Sequence, residues 1–522
     1  MDGTVDIARR KNARLCEERE IIRDFFDTEY LKADLKERSV RGGAVTIVAQ
    51  AASFFLHMGS TVVLARLLTP QDFGLIAMVA AVTNFAMMFK DIGLSMATVQ
   101  KPDINHTQVS TLFWINVATG MVIAACLVAL APAVASFYGN ARLTPVTMAL
   151  AGTFVFGGLT VQHQALLSRH MRFFSLSLIS IIAMAIGVAA AIVAGILGAG
   201  YWSLVIMYLV IAAGTALGTW IAVPWRPCLP RNRTGVREML GFGGNVTAFN
   251  FVNYFARNMD NILIGKFCGA GALGLYSKAY GLLMLPISQI RRPLTSVAVP
   301  ALSRIQDDPK RYTSYYSKLV LVLSFVSMPL TVFLAVCSRS IIHLLLGDQW
   351  LEASGIFQIL AITAFIQPTW STVGLVLLSL GQSRRYLRFG LINSLGVVTS
   401  FAVGIRWGAM GVAAAYAVAN YLILFPSLWY CYRGTPISIR TFLRAIIRPV
   451  IASVVTVSVI VVARRLLVSQ HDITVVSVCL GIGISAYLLV WSLMPGGFQL
   501  LREFARYVPL IFAKKPRDSE IG

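Results

Sequence analysis

Fourteen apolar runs, each long enough to cross the hydrocarbon layer of a membrane as a helix, follow one another from Gly42 to Leu493. They lie near residues 43–66, 73–97, 111–136, 145–167, 174–197, 201–223, 241–264, 274–302, 317–337, 355–380, 386–405, 408–429, 444–464 and 472–493. With 57% hydrophobic and 13% charged residues and a mean hydropathy of +0.71 over 522 residues, a water-soluble fold could not hide this much apolar chain. The sequence therefore predicts an all-α polytopic membrane protein of about 14 transmembrane helices.

An even number of spans puts both termini on one side, and the basic residues choose which side. Loops on the tail side carry seventeen Lys and Arg, clustered at Arg226–Arg237, Arg304–Lys318, Arg384–Arg388 and Arg433–Arg444, whereas the opposite loops carry seven. A missed or invented span would scramble that alternation. The asymmetry predicts a cytoplasmic N-terminus, and the basic C-terminal tail (Arg502, Arg506, Lys514, Lys515, Arg517) agrees. The net charge of +22 is thus a topology signal and not a nucleic-acid footprint.

Common enzymatic chemistries lack their residues. Seven cysteines lie far apart with no C-x-x-C, so neither a zinc site nor a disulfide framework is indicated, and no metal site is expected. The chain has no P-loop, H-E-x-x-H or G-x-S-x-G, and its six histidines are scattered, so it is expected to be no enzyme and to drive no transport by its own ATP hydrolysis. Residues 1–41 hold ten basic and ten acidic residues and no signal-peptide core, so this segment is expected to stay in the cytoplasm. Within it Ile21, Ile22, Phe25, Phe26, Tyr30, Leu31 and Leu35 recur near helical spacing, as an amphipathic helix or a solvated one would have them.

The chain repeats itself weakly at an offset of 200. Val63 to Leu67 before Phe73-Gly74-Leu75 matches Leu263 to Phe267 before Leu273-Gly274-Leu275, with only the Gly-Leu pairs identical. Further on, Gly195-Ile196 before Gly198-Ala199-Gly200 parallels Gly404-Ile405 before Gly408 to Gly411. Six spans separate the copies, so two six-helix lobes would share an orientation and be related by a pseudo-twofold along the membrane normal.

Charge inside the spans marks where function is expected. Arg257 and Asp260 fall in the seventh span, Lys278, Arg291 and Arg292 in the eighth, and Lys90 and Asp91 in the second. The four cations and one acid of the seventh and eighth spans would cost about 10 to 15 kcal/mol if they faced lipid. They should therefore line a wet interior, with Arg291 and Arg292 alternatively snorkelling to a headgroup layer. Five cations against two acids suit an anionic substrate. Arg257 and Asp260, three residues apart, share a helix face and can pair. Pro286, Pro293 and Pro300 recur along the eighth span, where each removes a backbone hydrogen bond and would kink or break the helix.

Several words in the chain resemble the polysaccharide transporter family of flippases. These are Val63 to Leu75, Asp91-Ile92-Gly93-Leu94, Val99-Gln100-Lys101 and Leu112 to Asn116 in the first half; in the second they are Asp260 to Lys266, Leu273 to Tyr276, Pro300 to Ser303 and Leu346 to Trp350. The resemblance covers about residues 40–430 and is nearest to exporters of the colanic acid and succinoglycan kind. It implies the multidrug, oligosaccharidyl-lipid and polysaccharide exporter fold: two six-helix lobes around a cavity open alternately to each side, plus two C-terminal helices.

The domains expected are a cytoplasmic segment 1–41, an N-lobe 42–225, a basic linker 226–240, a C-lobe 241–430, two further spans in 431–493 and a basic tail 494–522. The activity implied is translocation of a polyprenyl-diphosphate-linked oligosaccharide repeat unit from the inner to the outer leaflet of the bacterial cytoplasmic membrane. It would serve exopolysaccharide, capsule or lipopolysaccharide biosynthesis beside a polymerase and chain-length or export components. Lys90, Arg257, Lys278, Arg291 and Arg292 are the candidate diphosphate partners, since Arg supplies a bidentate fork and Lys a point charge. Asp91 and Asp260 are the candidates for proton or sodium coupling, and no organic cofactor is expected. A cation-coupled multidrug exporter or another lipid exporter of the same fold is the alternative; the multidrug exporter would favour acidic or apolar cavity residues.

Overall fold

The computed structural model describes residues 35–90, 93–101, 104–229, 237–467 and 470–502, and the side chains of 35–41, 237–253 and 255–257 fall outside that description. The N-terminal amphipathic helix expected before Leu35 lies outside the described residues, as do Asp91 and most of the basic tail.

Every described element is helical. The run Arg237–Arg304 departs from helical backbone angles only at Gly269 (φ 83°, ψ 179°), so it is two helices, residues 237–268 and 270–304. Counting them separately gives fourteen helices of at least 18 residues among the described residues. Ten helical stretches there are long and apolar enough to cross a membrane, and one of these, Ser383–Tyr432, contains two expected spans back to back. The chain is a multi-pass membrane protein. The expected spans outside these stretches are the second, seventh and eighth, which carry the intramembrane charges.

Three of the spans differ in form from their sequence expectation. The second is broken into Pro70–Met87 and Leu94–Gln100, with Gly93 at φ 76° before the second piece, a left-handed conformation cheap only for glycine. The tenth is broken into Ala353–Trp370 and Val373–Ser379. The eighth, by contrast, keeps helical angles through Pro286, Pro293 and Pro300, because a membrane helix can re-satisfy the carbonyls a proline frees. The stretch between the ninth and tenth expected spans is itself structured, with a helix Ser338–Leu346 and a 3-10 turn Asp348–Trp350.

Contacts divide the chain into two compact units, Met1–Gly274 and Leu275–Gly522. In the first, the third and fourth spans (His106–Tyr138 and Leu143–Arg169) approach backbone to backbone: a Cβ on Gly120 would lie 2.6 Å from the Phe154 carbonyl oxygen, and one on Gly158 2.7 Å from that of Asn116. Small residues permit such crossings where lipid offers no hydrophobic drive to association. Arg169 donates to the carbonyls of Thr98 (3.1 Å) and Lys101 (2.6 Å), fixing the short second piece of the broken span.

In the second unit, buried hydroxyls fasten the broken tenth span. Tyr312 pairs with Ser379 (2.6 Å), and Tyr316 joins both Thr372 (2.9 Å) and Tyr432 (2.7 Å). Inside an apolar core each such group needs a partner, so the network fixes one register for Pro309–Val336 against Gly408–Tyr432. The last span, Asp472–Leu493, is held by an aromatic cluster in which Phe325 sits 4.9 Å from Trp491 and 5.4 Å from Tyr487, and Ala452 of the preceding span, Ile439–Leu466, packs into it.

Candidate functional site

The second and seventh spans of the first unit meet along a stripe of glycines, apolar side chains and Tyr254. Thr69 and Asp72 cap the second span reciprocally, the Thr69 amide donating to the Asp72 carboxylate at 2.9 Å, and Pro70 takes the first helical turn, where its missing N–H is not needed. From this start the helix runs with Gly74, Met78, Ala81 and Phe85 toward the chain 254–274. Tyr254 donates to the Ala81 carbonyl at 2.7 Å, and its ring lies 5.7 Å from Phe85. A Cβ on Gly265 would stand 3.3 Å from Met78 and 2.8 Å from Tyr138. Tyr254, Asn258, Asn261 and Gly265 are spaced at 4, 3 and 4 residues, hence on one helical face.

The stripe ends in reciprocal contact between the repeat copies. A Cβ on Gly74 would lie 1.7 Å from the Ala270 carbonyl oxygen, and one on Gly274 1.8 Å from that of Pro70. Residue 70 with 274 and residue 74 with 270 are the same pair under the offset of 200. No side chain other than hydrogen fits at either glycine. The Gly-Leu identity marks this position in the sequence, but nothing there indicates that the two copies touch.

The seven charged residues singled out in the sequence divide between the units. Lys90 and Asp260 belong to the first. Lys90 rests on the fourth span, where a Cβ on Gly157 would fall 2.4 Å from its Cε and 2.8 Å from its Nζ, so glycine keeps a notch open for the lysine. Asp260 is buried, and its Oδ1 accepts the Asn261 amide at 2.8 Å. Arg257 sits one turn before it on continuous helix, with its side chain outside the described residues, and Asp91 lies outside them altogether. Lys278, Arg291 and Arg292 belong to the second unit, with Lys278 and Arg291 half-buried and Arg292 exposed. Among the described residues no cluster of three His, Cys, Asp or Glu could hold a metal ion.

Sequence reasoning passed over the buried hydroxyl network and a charged cluster at His343. The first leaves only isolated Tyr, Ser and Thr in the sequence, and the second joins residues far apart along the chain.

The chain is 25% identical over 395 residues to the lipopolysaccharide biosynthesis protein WzxC of Escherichia coli (strain K12), an alignment covering 74% of this chain and 80% of that one. It is 23% identical over 482 residues to the succinoglycan biosynthesis transport protein ExoT of Rhizobium meliloti (strain 1021), covering 91% of this chain and 96% of that one. Its fold is that of the lipid II flippase MurJ in an inward closed conformation, with a TM-score of 0.67 at 15% identity over 85% of this chain and 98% of the other. The profile of one family, described as polysaccharide biosynthesis protein, matches residues 63–355, more than half of the length, and the chain belongs to that family.

Proposed function

We propose that this chain is an exporter that moves a polyprenyl-diphosphate-linked oligosaccharide repeat unit from the inner to the outer leaflet of the bacterial cytoplasmic membrane, with both of its termini in the cytoplasm. The observation that carries the reading is the combination of family and charge: a polysaccharide biosynthesis protein whose intramembrane positions hold Lys90, Arg257, Lys278, Arg291 and Arg292 against Asp91 and Asp260. A diphosphate needs cations with well-placed donors, and those charges are expensive in the membrane unless a partner compensates them. The names of two similar proteins, ExoT as a transport protein and MurJ as a lipid II flippase, point the same way.

Transport by alternating access needs a seam that opens and closes. The reciprocal glycine contact at 70–74 and 270–274 suits one: it is flush, backbone to backbone, and has no side chain to be withdrawn when it parts. Asp260, buried in the first unit, is the acid we assign to proton or sodium coupling, with Asp91 as second candidate. A polymerase and a chain-length or export component would act on the product. The test is reconstitution: purified chain in liposomes, loaded with a polyprenyl-diphosphate-linked oligosaccharide on one leaflet, should make that glycan accessible to a glycosidase on the opposite side. A multidrug exporter would leave the glycan in place and expel a lipophilic cation instead.

A further inference from the structure

At one end of the second unit, the helix Ser338–Leu346 and its following turn face the start of the last span, Asp472–Leu493. A cavity of about 420 Å³ lies there, lined by Arg339, Ser340, His343, Asp348, Arg464 and Asp472 among others. His343 is at its centre. Its Nδ1 meets the Asp472 carboxylate, and its Nε2 lies 2.9 Å from Oδ1 of Asp348. A neutral imidazole has one N–H and one lone pair, so with a carboxylate at each nitrogen one contact would set lone pair against lone pair. Only the imidazolium donates to both.

We propose that His343 is a pH-sensitive latch that fastens the start of the last span to the Ser338–Trp350 segment most tightly while its ring is charged and loosens on deprotonation, when the ring loses its charge and can donate to only one of the two carboxylates. The remaining groups around the ring fit that role. Ser340 donates to Asp472, leaving the carboxylate oriented toward the ring, and Arg339 adds a second positive charge beside the same carboxylate. Arg464, at the end of the preceding span, is committed to the Val336 carbonyl at 2.6 Å and so ties the base of the same segment. Deeper in the interface, Cys337 hydrogen-bonds Cys479, and the Phe325–Tyr487–Trp491 cluster holds the span independently of any charge. Release of His343 therefore loosens one end of the helix and leaves the rest seated.

The direction of the pH effect follows from the partners. Hydrogen bonding to Asp472, and the charges of Asp472 and Asp348, raise the His343 pKa above its ordinary 6.5 against a smaller desolvation effect. A raised value means the latch is fully closed below the ordinary histidine pKa and opens as pH rises through the higher one. Alkaline conditions, not acid, should free this end of the last span.

Amide exchange on the full chain in nanodiscs, corrected for intrinsic pH dependence, tests this. Between pH 6.5 and pH 9, protection of peptides covering 338–350 and 470–476 should fall measurably, while peptides over 485–492 stay constant. His343→Arg, a permanent cation with donors for both carboxylates, should stay protected at both values, and His343→Gln should be unprotected at both. Equal protection of the wild type at the two pH values would overturn the latch. So would His343→Arg losing protection at pH 9 as the wild type does, because other titrating groups would then be responsible.

Discussion

Gly74 and Gly274 are repeat equivalents that touch: a Cβ on Gly274 would stand 3.2 Å from the Gly74 amide nitrogen, as well as 1.8 Å from the Pro70 carbonyl oxygen. Because the neighbours are backbone atoms, no rotamer change can make room for a methyl group. The seam must part, or the helices must shift, to admit any other residue.

That relationship can be tested by cross-linking beside it. A Cβ on Gly271 would lie 3.6 Å from Cγ of Gln71, another pair at the offset of 200. With the native cysteines replaced, Gln71→Cys with Gly271→Cys should form a disulfide readily. Adding Gly74→Ala should reduce the yield about tenfold or more, since overpacking of this kind costs about 1–3 kcal/mol. Undiminished cross-linking in a well-inserted Gly74→Ala variant would mean the seam tolerates the methyl and is not the tight closure described.

Topology gives the second expectation. If the positive-inside rule holds here, the seventeen basic loop residues on one side against seven on the other would put the segments Arg226–Arg237 and Arg384–Arg388 in the cytoplasm. Single cysteines there should be inert to an impermeant maleimide in intact cells and react once the membrane is permeabilised. Labelling of intact cells at either segment would reverse the orientation.

Charge sign at the eighth span is the third. Arg291→Ala or Arg292→Ala should lower glycan export about tenfold or more while leaving the protein inserted, and Lys should restore part of it because the charge returns without the bidentate fork. Gln variants exporting at the wild-type rate would identify both arginines as headgroup anchors, which the exposure of Arg292 already allows.

How much of this was readable beforehand depends on the range of the signal. Span lengths are written in contiguous hydropathy, so the helices fall where the apolar runs lie, and the turn at Gly269 falls between the seventh and eighth of them. The break at Gly93 was less visible, since Asp91-Ile92-Gly93 sits inside an apolar run that reads as continuous. The prolines misled in the other direction: each is a local helix breaker, yet helical angles persist past all three because the lost hydrogen bond is not decisive within a packed membrane helix. Contacts such as His343 with Asp472 had no sequence signal at all, because 129 positions separate the partners and neither stands in a motif. The charged candidates were legible as anomalies in apolar spans, and what surrounds each of them was not.

Lys90 illustrates the difference and gives the last expectation. In the sequence it is a cation near the inner end of the second span; in the structure it lies in a notch on the fourth span that exists because residue 157 is glycine. A methyl at 157 would meet Cε at 2.4 Å and Nζ at 2.8 Å, and these are the far atoms of a flexible side chain. Gly157→Ala should therefore displace the ammonium with little effect on folding, below about 1 kcal/mol, as for changes that leave backbone packing intact. If Lys90 binds the substrate anion from this position, Gly157→Ala should impair export much as Lys90→Met does, although the lysine is still present. Normal export in Gly157→Ala with loss in Lys90→Met would mean that the charge is needed but the notch is not. Normal export in both would remove Lys90 from the transport path, leaving it as a lysine whose stem packs on a neighbouring helix.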